Sequence, residues 1–227
     1  MNYMRAVNFI FEHPRWWLLA LIGGLSFFVP IVGPLVFMGF LVEEIERYHR
    51  TKSDTLQEFS FDRLGPYLMR GLWPFLAGLV LAVILIPVIL VPALIFLVIP
   101  GALDLESAMP FFVIAFVIIC VAICLIAALA AVPITLGAAL GQNLRAALSW
   151  RFIKDFVSKM WLEILVTMLF LVVLAIVAEI IGLLACGIGI YCTLALVTVS
   201  QWHLYWQLYE LYLERGGEPV PLADAPV

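Results

Sequence analysis

Four apolar runs, at about 73 to 99, 110 to 141, 161 to 184 and 188 to 212, are each long enough, at about 1.5 Å per helical residue, to cross a hydrocarbon core of ~30 Å. Two more, at about 16 to 29 and 33 to 45, are individually short. Apolar residues make up 65% of the chain and charged residues only 12%, far from the soluble norm of roughly half and a quarter. The mean hydropathy of +1.14 agrees. An integral membrane protein is implied. Its 227 residues hold about six spans of roughly 20 residues with short connections, leaving no room for a separate soluble domain.

The stretch Val-Pro-Ile-Val-Gly-Pro, residues 29 to 34, decides the topology. As a kink it would join the two short runs into one span and strand Arg5 and Arg15 opposite the other basic residues. As a turn it puts all twelve Lys and Arg on one side, as the positive-inside rule prefers. Pro30, Gly33 and Pro34 supply turn geometry and a proline near the start of the next helix. The connection expected to face outward, Pro100 to Pro110, carries Asp104 and Glu106 and no basic residue. We therefore expect an outer turn at 29 to 34, both termini cytoplasmic, and residence in the inner (cytoplasmic) membrane. No small-residue cleavage site follows the first run, which is expected to be retained.

Trp16, Trp17, Trp73, Trp150, Trp161, Trp202 and Trp206 are expected near the inner interface, with Tyr205, Tyr209 and Tyr212 extending that belt. Each hairpin is preceded by a mixed polar and apolar segment, Met4 to His13, Leu56 to Leu72 and Asn143 to Lys159, which suits a short interfacial helix. The fold class is all-α: a polytopic membrane helix bundle, six transmembrane helices in three hairpins at about 16 to 50, 73 to 142 and 161 to 212. One transmembrane domain covers 1 to 215. A tail from 216 to 227, with Pro219, Pro221 and Pro226, is expected to be disordered.

Arg5-Ala-Val with Phe9 to Phe11, His13-Pro14 and Trp16, Pro30-Ile-Val-Gly-Pro34 followed by Phe-Met-Gly39 and Glu43, and then Leu72-Trp-Pro74 together resemble the bacterial and archaeal membrane family catalogued as domain of unknown function 4013. The resemblance is good over residues 1 to about 75 and diffuse beyond. It implies a multi-helix membrane protein and brings no activity and no functional residues with it.

Chemistry is sparse. Glu179 is the one acid well inside an expected span, and an intramembrane carboxylate is a functional candidate by default. Its position roughly 27 Å along the helix from Trp161 also lets it reach the outer interface. His203 lies among aromatic residues with Gln207 four positions on, suited to a shared interhelical hydrogen bond. Glu43, Glu44 and Glu46 with Arg47 and Arg50 fit a solvated helix end with i,i+4 ion pairs. Pro87, Pro92 and Pro133 read as kinks, Pro87 and Pro92 lying among Leu, Ile and Val. Cys120 and Cys124 suit packing, and Cys186 and Cys192 stand at a spacing that a small disulfide could close. No His/Cys cluster has metal spacing, no nucleophile constellation or phosphate-binding loop is present, and no cofactor is expected.

A net charge of -4 argues for no nucleic-acid partner. The expected function is non-catalytic: a membrane scaffold or accessory subunit, with membrane lipids and a protein partner or further copies of itself around it. Arg47, Arg50, Arg145, Arg151, Lys154 and Lys159 are its expected contacts to anionic lipid, each worth about 1 kcal/mol near the surface. The alternative is a small transporter or lipid-handling protein built around Glu179, His203 and Gln207.

Overall fold

The structure, a computed structural model, describes residues 1–53, 55–102, 106–185, 187 and 189–222. Among the described residues there are nine α-helices and no strand: α1 (Arg5–Glu12), α2 (Trp16–Ser26), α3 (Val32–Thr51), α4 (Leu64–Ala93), α5 (Ile99–Ala102), α6 (Met109–Gly141), α7 (Leu144–Ala147), α8 (Trp150–Leu184) and α9 (Gly189–Glu214).

Local chemistry sets several of these limits. In α1 the buried residues Ala6, Phe9 and Ile10 recur at helical spacing. It ends where Pro14 drives His13 into an extended conformation, with ψ 125°. Asn143 and Ser149 cap α7 and α8 by accepting hydrogen bonds from the N–H groups of Ala146 and Phe152. α4 carries Pro74, Pro87 and Pro92 inside it, and a π-helical segment, Leu94–Val98, follows directly. Such segments interrupt the regular hydrogen-bond ladder, so the prolines distort the helix without ending it.

The stretch at 29 to 34 is a turn between two helices. The Val32 N–H donates to the Pro30 carbonyl at 2.8 Å, and Ile31 between them has φ 68° and ψ -58°. This is the rarer, positive-φ form of the γ-turn, strained for any residue with a Cβ and most of all for a β-branched one. α2 and α3 then run antiparallel: a Cβ at Gly33 would strike the Ser26 carbonyl, and one at Gly23 would strike Phe37.

α9 is the centre of the molecule, contacting α1, α2, α3, α6 and α8. A ring of neighbours closes around the fold, from α9 through α3, α4, α6 and α8 back to α9. Phe40, Leu136, Phe156, Met160, Leu208, Tyr209 and Tyr212 are fully buried in the main core. α3 and α4 meet at backbone distance: a Cβ at Gly39 would collide with the Tyr67 carbonyl, and one at Gly71 with that of Leu35. Burial in α4 is confined to its first half, from Tyr67 to Ala77, and in α6 to its end, from Val132 to Gly141. The remaining parts of these helices carry many exposed Leu, Ile, Val and Phe side chains.

Among the described residues, three helices are long and apolar enough to cross a membrane: Phe61–Val98, Met109–Gly141 and Trp150–Leu184. They mark the chain as a membrane-embedded protein. α2, by contrast, has only 11 residues.

Several expectations change. Of the three interfacial segments only the first forms a helix of its own, α1. The second runs into α4 from Phe61, and the third becomes the four residues of α7 plus the start of α8. Trp202, Tyr205, Tyr209 and Tyr212 are buried core residues, not an interfacial belt, because α9 is enclosed by its neighbours. The tail does not leave the molecule at Gly216. Residues 216–222 lie against α8 and α9, with Val220 buried and its N–H donating to the Tyr209 hydroxyl at 2.9 Å. Asp104 and the Cys186 partner of the disulfide expectation lie outside the described residues, and Cys120, Cys124 and Cys192 are free.

Candidate functional site: a basic groove under the C-terminal strap

α7, the first turns of α8, the end of α9 and the strap 216–222 enclose an open groove of about 680 Å³. Arg145, Arg151, Lys154 and Lys159 line it, against the two carboxylates of Asp155 and Glu218. A third of the chain's basic residues thus meet in one place, although the protein as a whole is acidic.

Hydrogen bonds of the strap fix the groove's shape. The Tyr212 hydroxyl donates to Asp155 Oδ2 at 2.7 Å and accepts from the Glu218 N–H at 3.1 Å. Lys159 Nζ donates to Asp155 Oδ2 at 2.8 Å and to the Gly216 carbonyl at 3.0 Å, and lies 5.5 Å from the centre of the Tyr212 ring. Just outside, Arg215 pairs with Glu163, and that hydrogen bond raises the guanidinium above its ordinary pKa. Lys159 is therefore committed to the walls. Arg151 pairs with Glu218 across a solvent-exposed gap. Arg145 and Lys154 are exposed and form no ion pair among the described residues. The first turn of α8, with its partial positive charge, adds to the same field.

Of the six cations expected to meet anionic lipid, the structure brings these four together and sets two apart. Arg47 is held by Glu44 and the Thr55 carbonyl, and Arg50 by Glu46. Both belong to a network that joins α3 to its neighbours. Buried Arg70, on α4, pairs with Glu46 and faces Glu43 at 4.0 Å, and Arg63 pairs with Glu43. Glu44 accepts the Gln57 N–H at 3.1 Å, tying down the loop before α4. Of the two i,i+4 pairs expected from spacing, Glu46–Arg50 forms, but Arg47 pairs with Glu44 at i,i+3 while Glu43 turns to Arg63, and Glu44 is buried instead of lying at a solvated helix end. Spacing gave no sign of Arg70, which comes from another helix.

His203 and Gln207 do meet, at 3.1 Å. His203 is buried and stacks on Phe9 with ring centres 4.2 Å apart, while Gln207 bonds both the N–H and the carbonyl of Asn2. The pair pins α1 to α9. Glu179 is not part of it: it is exposed on α8 and makes no hydrogen bond or ion pair with another described residue. Thr167 is buried, with no hydrogen-bond partner for its hydroxyl among the described residues. No group of three or more metal-ligating side chains occurs among them.

Neither the curated proteins nor the solved structures contain a match to the chain. Residues 22–187 match the family described as "Protein of unknown function (DUF4013)". That span takes in the α2–α3 turn, the Arg70 network and the groove's basic residues, and the chain belongs to the DUF4013 family.

Proposed function

We propose that this protein is a non-catalytic, multi-pass scaffold or accessory subunit of the cytoplasmic membrane, with both termini and the basic groove on the cytoplasmic side. The observation that carries the proposal is the contrast between the two parts of the fold. One part is knitted by ion pairs between elements far apart in sequence: Arg15 with Glu58, Arg63 and Arg70 with Glu43 and Glu46, His49 and Lys52 with Glu210, and Arg215 with Glu163. The other part leaves the apolar faces of α4, α6 and α8 uncovered by the chain itself. A rigid base offering long apolar helices is suited to holding other membrane components.

Six helices enter the bilayer in this arrangement, though not in the same way. α9, with 26 residues, is long enough at about 1.5 Å per residue to cross ~30 Å of hydrocarbon. α2, with 11 residues, reaches about half of that. The tip between α2 and α3 exposes Phe28, Val29, Ile31 and Val32 and has no charged residue. Such a tip favours hydrocarbon over water, so α2 and the apolar half of α3 dip in and return, beside four full crossings. Val32→Cys should then resist an impermeant thiol reagent from either side, whereas Ser53→Cys should react from the cytoplasmic side only. Outside labelling of Val32→Cys would instead make α2 and α3 full crossings.

The scaffold assignment is tested by mild extraction from native membranes and mass spectrometry of what accompanies the protein. A stoichiometric protein partner or a self-assembly supports it, and a lone monomer that carries only lipid overturns it in favour of lipid handling. That second reading is favoured by one feature, the basic groove.

A further inference from the structure

We infer that the groove under the strap is a binding site for the phosphate-bearing head group of an anionic lipid, with Glu218 occupying part of it when no lipid is bound. The inference rests on the membrane placement of α8 proposed above.

Three observations converge. The first is charge. Among the described residues, Arg145 and Lys154 line the groove without an ion-pair partner, and Arg151 is engaged only by the exposed carboxylate of Glu218. A phosphate oxygen is chemically equivalent to that carboxylate as a guanidinium partner. The second is shape. The groove is large enough, at about 680 Å³, for a head group, and Phe152 gives it an apolar wall.

The third separates a lipid from free phosphate. At 3.6 residues per turn, Arg151, Lys154 and Ser158 share one face of α8 with Leu162, Val166, Leu169, Val173, Ile176 and Ile180. Those six apolar side chains are all exposed. The face that presents cations at the groove therefore continues as an unbroken apolar stripe along a membrane-length helix. An acyl chain laid on that stripe would bring its own phosphate to Arg151 and Lys154. A free anion would have no use for the stripe, and an acidic protein would need contacts beyond the groove.

Glu218 gives the site a built-in competitor. Its backbone is held by Tyr212, so its carboxylate is presented to Arg151 at high local concentration. A lipid phosphate must displace it, and the strap makes the site selective for ligands with more negative charge than a zwitterionic head group offers.

The test uses the full chain in neutral detergent, titrated with phosphatidylglycerol, with phosphatidylcholine of the same chains, and with inorganic phosphate, bound ligand being counted by native mass spectrometry. Wild type should prefer phosphatidylglycerol. Arg145→Gln with Lys154→Gln should weaken that binding by about thirtyfold, from roughly fivefold per cation removed, and leave phosphatidylcholine unchanged. Glu218→Gln should strengthen it about fivefold. These exposed side chains can change without disturbing the core, and the Glu218 gain cannot come from misfolding. Unchanged phosphatidylglycerol binding in the double variant, or no gain in Glu218→Gln, overturns the site. Inorganic phosphate that binds as well as the lipid reassigns it to free phosphate and overturns the lipid source. Impermeant-thiol labelling of Leu148→Cys, exposed between α7 and α8 and expected to react from the cytoplasmic side only, reports the placement of α8 separately, so an absent lipid preference with correct labelling refutes the lipid site alone.

Discussion

Replacing Arg70 with methionine should cost more stability than removing the entire ionic cluster around it. The Arg70 side chain is 6% exposed, and those of its partners Glu46 and Glu43 are 12% and 16%. Among the described residues Arg70 supplies the only cation to Glu46 from outside α3, and it stands between the two carboxylates. Methionine fills similar volume but takes away the buried cation, leaving Glu43 and Glu46 to the more exposed Arg63 and Arg50. Breaking one side of such a pair costs about 3–5 kcal/mol, a large part of a stability of roughly 5–15 kcal/mol. Neutralising everything at once, with Glu43→Gln, Glu46→Gln and Arg70→Met together, removes the stranded charges as well as the attraction, and should come back to within about 1–2 kcal/mol of wild type. Arg63 and Arg50, both more exposed, lose partners in that variant at little cost. Stability would be read from reversible unfolding in mixed micelles with increasing denaturing detergent, followed by tryptophan fluorescence. The reasoning is refuted if the triple variant is as unstable as Arg70→Met alone, because the stranded carboxylates would then not be the cause.

Ile31→Gly should stabilise the protein by about 1 kcal/mol in the same assay, since relief of the positive-φ strain outweighs the added freedom of glycine in the unfolded chain; Ile31 is 64% exposed and loses little packing. Gly39→Ala should lower the yield of folded, monodisperse protein in size-exclusion chromatography, because its methyl group would enter the Tyr67 carbonyl and force α3 from α4. Tyr209→Phe removes the acceptor of the buried Val220 N–H, at a cost of about 1–2 kcal/mol to strap docking. It should speed proteolytic cleavage after Arg215, and an unchanged cleavage rate would show that the hydroxyl does not hold the strap.

Much of the architecture was legible in the residues because hydrocarbon is an unforgiving solvent. Apolar length alone located α4, α6 and α8, and two prolines with a glycine located the α2–α3 turn. The particular turn was not legible: nothing about isoleucine favours φ 68°, and only the approach of α3 to α2 imposes it. The cations of the groove could be named from sequence, yet four of the six converge only because the short α7 folds beside the start of α8 and the strap closes over both. That strap was missed since prolines and small polar residues argue for disorder, while the deciding contacts, from Tyr209 and Tyr212, come from a helix whose aromatics pointed to an interface. The same ambiguity hid α9's central place. An aromatic ring with one polar atom suits a membrane surface and an enclosed core with a hydrogen-bond partner equally well.

The apolar helix that begins at Phe61 and continues to Val98, 38 residues in all, is longer than any ordinary bilayer needs. Its apolar stretch from about residue 73 to 99 measures about 40 Å as a helix, against a hydrocarbon thickness of ~30 Å. α3 grips this helix near its start, at the Gly39–Gly71 crossing, while α6 runs beside the rest of it as far as the Leu94–Val98 segment. A stretch that much longer than the hydrocarbon is accommodated by tilting, by bending at Pro87 and Pro92 or by thickening the bilayer around it. The thinner the bilayer, the further the far end of the helix and of α6 beside it would have to lean relative to the ion-paired base. A change in bilayer thickness would therefore fall first on these two helices rather than on the base.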